Sequence, residues 1–296
     1  MRLQLLAALL LTTMPARSAQ GAHLPLPARV TILYDAFGER TGLTRDWGFA
    51  ALVEYGGKRV LFDTGNNADI FAHNVQALHV DLRTLDFVVV SHRHGDHIAG
   101  LTYLLKINPH VKIYAPKEGF GIFGSAVPGR FLRPDSSLPA RMRYFDGEPP
   151  VELRGGTAWP AADFTWVDGP TEVAPGFVIV STVSKTPGTL ELHELSLAVR
   201  TPQGLVLLVG CSHPGIETIL EAAAPAGDHV HMIFGGLHLV VTPDPEIERI
   251  AASLHDHWHL DLIAPGHCTG EPAFAELERR FGKQYVYAGL GTVVEL

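Results

Sequence analysis

Residues 85–100 read LDFVVVSHRHGDHIAG: an apolar run passes directly into three histidines and an aspartate, His92, His94, Asp96 and His97. A run this short and this rich in valine reads as a buried strand rather than a helix. In an extended loop, side chains two apart point to the same side, so His92 and His94 aim together. Gly95 permits the sharp turn that folds Asp96 and His97 back toward them. Imidazole nitrogens and a carboxylate suit zinc, and manganese or iron would accept the same donors. Four donors are one too many for an open site around a single tetrahedral ion, whereas two adjacent divalent ions use them all. A solvated loop with chance histidines is the alternative, and the spacing argues against it.

Two ions need ligands from elsewhere in the chain, and the later strand ends offer them. LVLLVGCSHPG ends on Cys211 and His213, MIFGGLHL on His238, and LIAPGHCTG on His267. Each is an apolar run followed by glycine and then histidine. One such event is an ordinary loop histidine; three on one rim point to a shared site.

The rest of the chain supports such a rim. VTILYDA and ALVEYGGKRVLFDTG read as strands, the latter folded at Gly56-Gly57 into a hairpin. A helical stretch at 68–78 precedes LDFVVV, and a helical stripe in HIAGLTYLLKI precedes the strand VKIYAP. From about 116 to 175 proline, glycine and arginine accumulate and periodicity fades, which predicts a loop-rich insertion or lid. FVIVSTV, LSLAVRT and GLVLLVG restore strands, followed by helix–strand alternation to the end, including a helix over 245–259. The order predicts an α/β (α+β) fold of two packed mixed sheets with helices outside, in one domain over 28–296.

Composition narrows the function classes. The 296 residues are 46% hydrophobic, enough for a sizeable core. A formal net charge of −8 without a lysine or arginine run makes nucleic acid an unlikely partner by charge; a small molecule is expected instead. Two cysteines exclude a disulfide framework, although one bridge between Cys211 and Cys268 stays open. Residues 1–18 carry one basic residue ahead of an apolar run at 3–11, then Ala16-Arg17-Ser18, a small-x-small cleavage pattern. The run is too short to span a bilayer, so a signal peptide and a periplasmic or secreted mature protein with no membrane span are expected, against the plainer reading of a frayed helix.

The pattern His92-x-His94-x-Asp96-His97, with LFDTG around Asp63 and PGH at His267, resembles the metallo-β-lactamase superfamily over nearly all of 28–296. The resemblance implies a four-layer αββα sandwich with a mono- or dinuclear metal site at the sheet edges. GCSHPGI, GGLHL and PGHCTG resemble one subgroup, the dihydropterin–ribofuranosylaminobenzene phosphate synthases and their hydrolase relatives. Carried over, His92 and His94 would bind one metal, and Asp96, His97 and His267 the other. Asp63 would orient a ligand imidazole. Where many members place a ligand histidine in a TPGH loop, this chain has Thr189, and Cys211 stands where a bridging aspartate is usual. His213 is therefore assigned to the first metal. Cys211 is read either as a ligand or as a small buried residue, and His238 as a metal ligand or a substrate-facing proton donor.

Three other features compete for attention. HDHWH puts His255 and His259 on one helical face, but the apolar stripe Ile247, Ile250, Leu254 and Trp258 assigns His255 and His257 to water. Arg130, Arg133, Arg141 and Arg143, with Lys185 as a weaker candidate, could clamp an anionic substrate, against the alternative of scattered solvated charge.

The resulting expectation is a hydrolase whose two divalent ions, zinc by preference, activate water against an ester, lactone, thioester or phosphoester. The alternatives are the synthase chemistry of the subgroup, carbon–carbon bond formation on a pterin, and a non-catalytic periplasmic metal-binding protein.

Overall fold

The protein is described by a computed structural model covering residues 26–118, 123, 126–132, 136–137, 139, 142–154, 159–185, 191–227 and 229–296. The stretch 1–18 and residues Arg133, Arg141 and Thr189 lie outside these, as does the side chain of Arg130.

The strands are β1 (Arg29–Tyr34), β2 (Ala50–Tyr55), β3 (Lys58–Phe62), β4 (Phe87–Val89), β5 (Lys112–Pro116), β6 (Ala126–Pro128), β7 (Glu152–Arg154), β8 (Asp163–Val167), β9 (Thr171–Ala174), β10 (Phe177–Ser184), β11 (Leu192–Thr201), β12 (Gly204–Val209), β13 (Val230–Gly236), β14 (Leu262–Gly266) and β15 (Val293–Glu295). They form a seven-stranded sheet in the order β15-β1-β2-β3-β4-β5-β8, a six-stranded sheet in the order β14-β13-β12-β11-β10-β9, and the small pair β6-β7. The hairpin at Gly56-Gly57 forms with both residues at positive φ, as a two-residue turn between twisted strands requires.

Side-chain alternation shows why the two large sheets pack face to face. Along β12, Val206 and Leu208 join a core shared with Val30, Phe62 and other residues of the first sheet. Leu205, Leu207 and Val209 face the other way, onto α4 (Ile216–Ala223), α5 (Asp244–Ala252) and α6 (Glu271–Phe281). In β2 the same alternation sends Ala51 and Val53 inward and Leu52 toward α1 (Ala68–Ala77) and α3 (Leu101–Ile107), the latter following the short α2 (Gly95–Ile98). Strands buried on both faces need continuous apolar runs, hence the uninterrupted sequences seen above. Each fully buried Leu, Val, Ile or Phe contributes about 1.5–3 kcal/mol. The result is a four-layer αββα sandwich.

The stretch from 116 to 175 is not uniform. Its last part supplies β8, which pairs with β5 in parallel over five residues, and β9, which pairs with β10. The prolines and glycines around these short strands mask their period from a sequence reading. The helix predicted over 245–259 forms as α5 with a wider turn through Ser253–His257.

Within each sheet the strands toward one edge run parallel, β3-β4-β5-β8 in the first and β12-β13-β14 in the second. Their carboxyl ends carry the histidine-rich loops, the usual place for a site in such sheets.

Candidate metal centre

The loop after β4 is anchored by one buried carboxylate. Asp63 accepts hydrogen bonds from the Ser91 backbone N–H (2.7 Å) and the Ser91 hydroxyl (2.7 Å), and its Oδ2 lies 2.6 Å from His97 Nδ1. Ser91 Oγ in turn stands 2.8 Å from His92 Nδ1. With the serine proton given to Asp63, His92 Nδ1–H donates to Ser91 and His97 Nδ1–H donates to Asp63. Both rings are thereby turned so that Nε2 faces the centre. The backbone is pinned as well: the Thr64 N–H donates to the His97 carbonyl at 2.7 Å and the Phe49 N–H to that of Asp96 at 3.2 Å.

On the other sheet a different buried carboxylate holds the backbone instead. Glu194, fully buried on β11, accepts from the N–H groups of Cys211 (3.0 Å), Ser212 (2.7 Å) and His213 (2.8 Å). Asp35, equally buried, accepts from the His267 N–H at 3.0 Å. Ser212, His238 and His267 all take left-handed backbone conformations, with φ of 62°, 54° and 47°. Such conformations cost about 1–3 kcal/mol each and persist where surrounding contacts hold them. Gly210 lets this sheet approach the first: a Cβ there would stand 2.3 Å from Ser91 Oγ.

Short contacts join donors within and between the two halves. His97 Nε2 is 3.2 Å from His267 Nε2 and 3.2 Å from Cys211 Sγ. His92 Nε2 is 3.1 Å from His94 Nδ1, and Asp96 Oδ2 is 3.4 Å from His267 Nε2. The His213 ring centroid lies 4.9 Å from that of His92 and 4.8 Å from that of His94. Ligand atoms of His92, His94 and His213 lie within 4.8 Å of one another, as do those of Asp96, His97 and His267. His238 packs at a tilt of 53° against His213 with centroids 4.2 Å apart, and its donors group with Cys211 and Cys268.

The crowding shows in the acid–base chemistry. Burial and the neighbouring imidazole of His97 drive His92 well below an ordinary histidine, and burial with His238 and His94 drives His213 down to about 3. His97 goes the other way: burial opposes its charge, but the Asp63 carboxylate and its hydrogen bond, with Asp96, raise it to about 9. Asp96 is held well below the usual carboxylate range; burial is outweighed by His267 and His97. Burial raises Glu194 to about 7 and Asp35 to about 8 despite their backbone hydrogen bonds.

These residues fit a metal. His213 Nε2 is buried without a hydrogen-bond partner, and Nε2 of His92 and Nδ1 of His94 converge to 3.1 Å beside it. Two divalent ions would satisfy these lone pairs at once, one held by His92, His94 and His213, the other by Asp96, His97 and His267. An ion at the second set must displace the proton on His97.

The remaining sequence candidates fall elsewhere. Lys185 is exposed at the end of β10, and Arg143 donates to the carbonyl of Gly147 within its own turn. His255 meets Asp256 at 2.6 Å on the outside of the helix, and His257 is exposed. Cys211 and Cys268 are free and buried, so the bridge left open by the sequence is not formed. Sequence reasoning missed Glu194, Asp35 and Trp47, whose half-exposed indole packs on His267 with centroids 5.0 Å apart. It also missed Arg93, which pairs with the buried Glu118 at 2.8 Å between two ligand histidines. No spacing rule marks these residues, because their partners are distant in the chain.

Comparison with known proteins bears on the same residues. The family model described as the metallo-beta-lactamase superfamily matches residues 44–229, which span Asp63, His92–His97, Cys211 and His213. The chain is 25% identical to the 7,8-dihydropterin-6-methyl-4-(beta-D-ribofuranosyl)-aminobenzene-5'-phosphate synthase of Methanocaldococcus jannaschii, over 90% of this chain and 95% of that protein. Among solved structures it resembles Tm1679, a metal-dependent hydrolase of the beta-lactamase superfamily. That match has a TM-score of 0.67 and 28% identity, covering 90% of this chain and 98% of that one. The metallo-beta-lactamase fold protein YhfI from Bacillus subtilis matches in fold, with a TM-score of 0.59 and 16% identity over 92% and 100% of the two chains.

Proposed function

Given that the chain belongs to the metallo-beta-lactamase superfamily, we propose that it is a metal-dependent hydrolase of an ester, lactone, thioester or phosphoester. The observation that carries this reading is the pair of separate three-donor sets, His92–His94–His213 and Asp96–His97–His267, side by side in one centre. When bound, two divalent ions would lower the pKa of water and polarise the oxygen of the scissile group. Zinc suits the mixture of imidazole, carboxylate and thiol donors.

The protein's own groups have distinct parts. Asp63, directly and through Ser91, keeps the rings of His97 and His92 in one tautomer, so both offer Nε2 to the centre. Asp96, its carboxyl held well below the usual carboxylate range by His267 and His97, would accept a hydrogen bond from water and orient it for attack. His238 is half-buried beside His213, so a ring N–H of it would hydrogen-bond the oxygen of a leaving group. Trp47 covers one side of His267 and offers a flat apolar wall to the substrate. The pattern at residues 1–18 supports export, and so a periplasmic or secreted site of action on a small molecule. Among the described residues no helix is long and apolar enough to cross a membrane.

A second reading is favoured by the methanogen relative: synthase chemistry joining a pterin to a ribosylated aminobenzene. The deciding experiment loads the purified protein with zinc or manganese and offers reporter esters, lactones, thioesters and phosphodiesters. Turnover that is lost together with bound metal in His94→Ala supports the hydrolase. Condensation of the pterin pair supports the synthase. Bound metal with no turnover of either kind leaves a metal-binding protein and removes the proposal.

A further inference from the structure

Three adjacent parallel strands of the second sheet end in register, Val209 of β12 beside Gly235 of β13, and Gly236 of β13 beside Gly266 of β14. Two residues beyond the last residue of each strand stand Cys211, His238 and Cys268. Neighbouring strands lie about 4.8 Å apart, so equivalent positions after their ends bring side chains together. The sulfurs and one imidazole nitrogen of these residues all lie within 4.8 Å of one another. None of the three belongs to the His92–His94–His213 or the Asp96–His97–His267 set.

We propose that Cys211, His238 and Cys268 form a third cation site, selective for a thiophilic divalent ion of the zinc and cadmium class. Both cysteines are buried, at 3% and 2% exposure, and neither is in a disulfide. His238 is held in the left-handed conformation at φ 54°, with Nδ1 buried and lacking a hydrogen-bond partner. Gly236 keeps the approach open, since a Cβ there would meet Cys268 Sγ at 2.6 Å. Soft sulfur ligands select zinc or cadmium over magnesium or calcium.

Charge favours the same assignment. Three neutral imidazoles leave a divalent ion with its full charge, and one carboxylate removes one unit. Two thiolates neutralise a divalent ion outright, so a third ion placed here adds no net charge to a buried cluster. Cys211 also faces the second set, its Sγ 3.2 Å from His97 Nε2, so its thiolate stands between the two ions. The competing arrangement is Cys211 as an extra ligand of the second ion, with Cys268 and His238 uninvolved.

Cobalt distinguishes the two. The chelator-stripped protein is titrated with Co2+ under reductant, and the thiolate-to-cobalt charge-transfer band is followed beside the weaker ligand-field bands of the nitrogen and oxygen sites. The site predicts three cobalt equivalents and a band that falls to about a third or less in Cys268→Ser, with stoichiometry falling to two. His238→Ala should weaken the thiolate-bound ion by at least about tenfold while leaving the other two in place. No charge-transfer band, or a band unchanged by Cys268→Ser, overturns the proposal. X-ray absorption on the zinc-loaded wild-type protein decides independently of how the variants fold. At least two Zn–S contacts at about 2.3 Å shared over three zinc ions support the site, and one or none rejects it. A protein that hydrolyses reporters without the thiolate band loses only this site; one that shows the band without turnover loses only the hydrolase reading.

Discussion

Four donors, His92, His94, Asp96 and His97, come from one loop after β4, whereas Cys211, His213, His238 and His267 arrive from three loops after β12, β13 and β14. The first group is oriented through its rings, because Asp63 and Ser91 hold the Nδ1 atoms of His97 and His92. The second is oriented through its backbone, because Glu194 and Asp35 hold N–H groups and leave the side chains to follow strand register. A buried carboxylate serves both halves, yet it sets ring tautomers in one and loop conformation in the other.

That contrast is open to direct test. The largest effect should come from Glu194→Ala, which orphans three buried N–H groups at once; a loss of about 3–5 kcal/mol is expected in denaturant unfolding. A loss below about 1 kcal/mol would mean the 211–213 loop is held by something else. Next is metal removal: the metal-bound protein at a hundredfold excess over the dissociation constant should be about 2.7 kcal/mol more stable than the chelated one. Hydrogen exchange should then quicken in the 211–213 and 267–269 loops more than at 91–97, whose rings keep their anchors. Equal loosening would erase the distinction between the halves. Asp63→Asn should weaken metal binding by about 10–100-fold with little change in stability, read by competition with a chromogenic chelator. If stability falls as far as in Glu194→Ala, the hydrogen bond of Asp63 to the Ser91 backbone outweighs its hold on the rings. The smallest effect is expected at His255, outside both halves, where alanine should change stability by less than about 0.5 kcal/mol and leave metal content untouched.

The comparison also explains what was legible beforehand. Local features speak within a few residues: the spacing of His92 to His97, the paired glycines at 56 and 57, and the apolar runs before each strand-end histidine. Glu194 lies within LHELSLAV, a strand pattern in which a lone glutamate reads as solvent-facing, yet its acceptors serve residues 17 to 19 positions on. Asp35 serves His267 across 232 residues. β8 and β9 are short, and proline and glycine around them hide the alternation that longer strands display. Cys268 read only as a potential disulfide partner, since its strand-end equivalence with Cys211 and His238 requires the register of β12, β13 and β14.

By itself, the amino-acid order determined a plan of two packed sheets with helices outside and the kinds of donor at the strand ends, because periodicity and residue chemistry act over short range. Which nitrogen each ring offers, which carboxylates hold the loops, and which donors share a cation were decided only by the packed sheets. Those properties depend on hydrogen-bond distances between residues that the chain separates and the fold brings together.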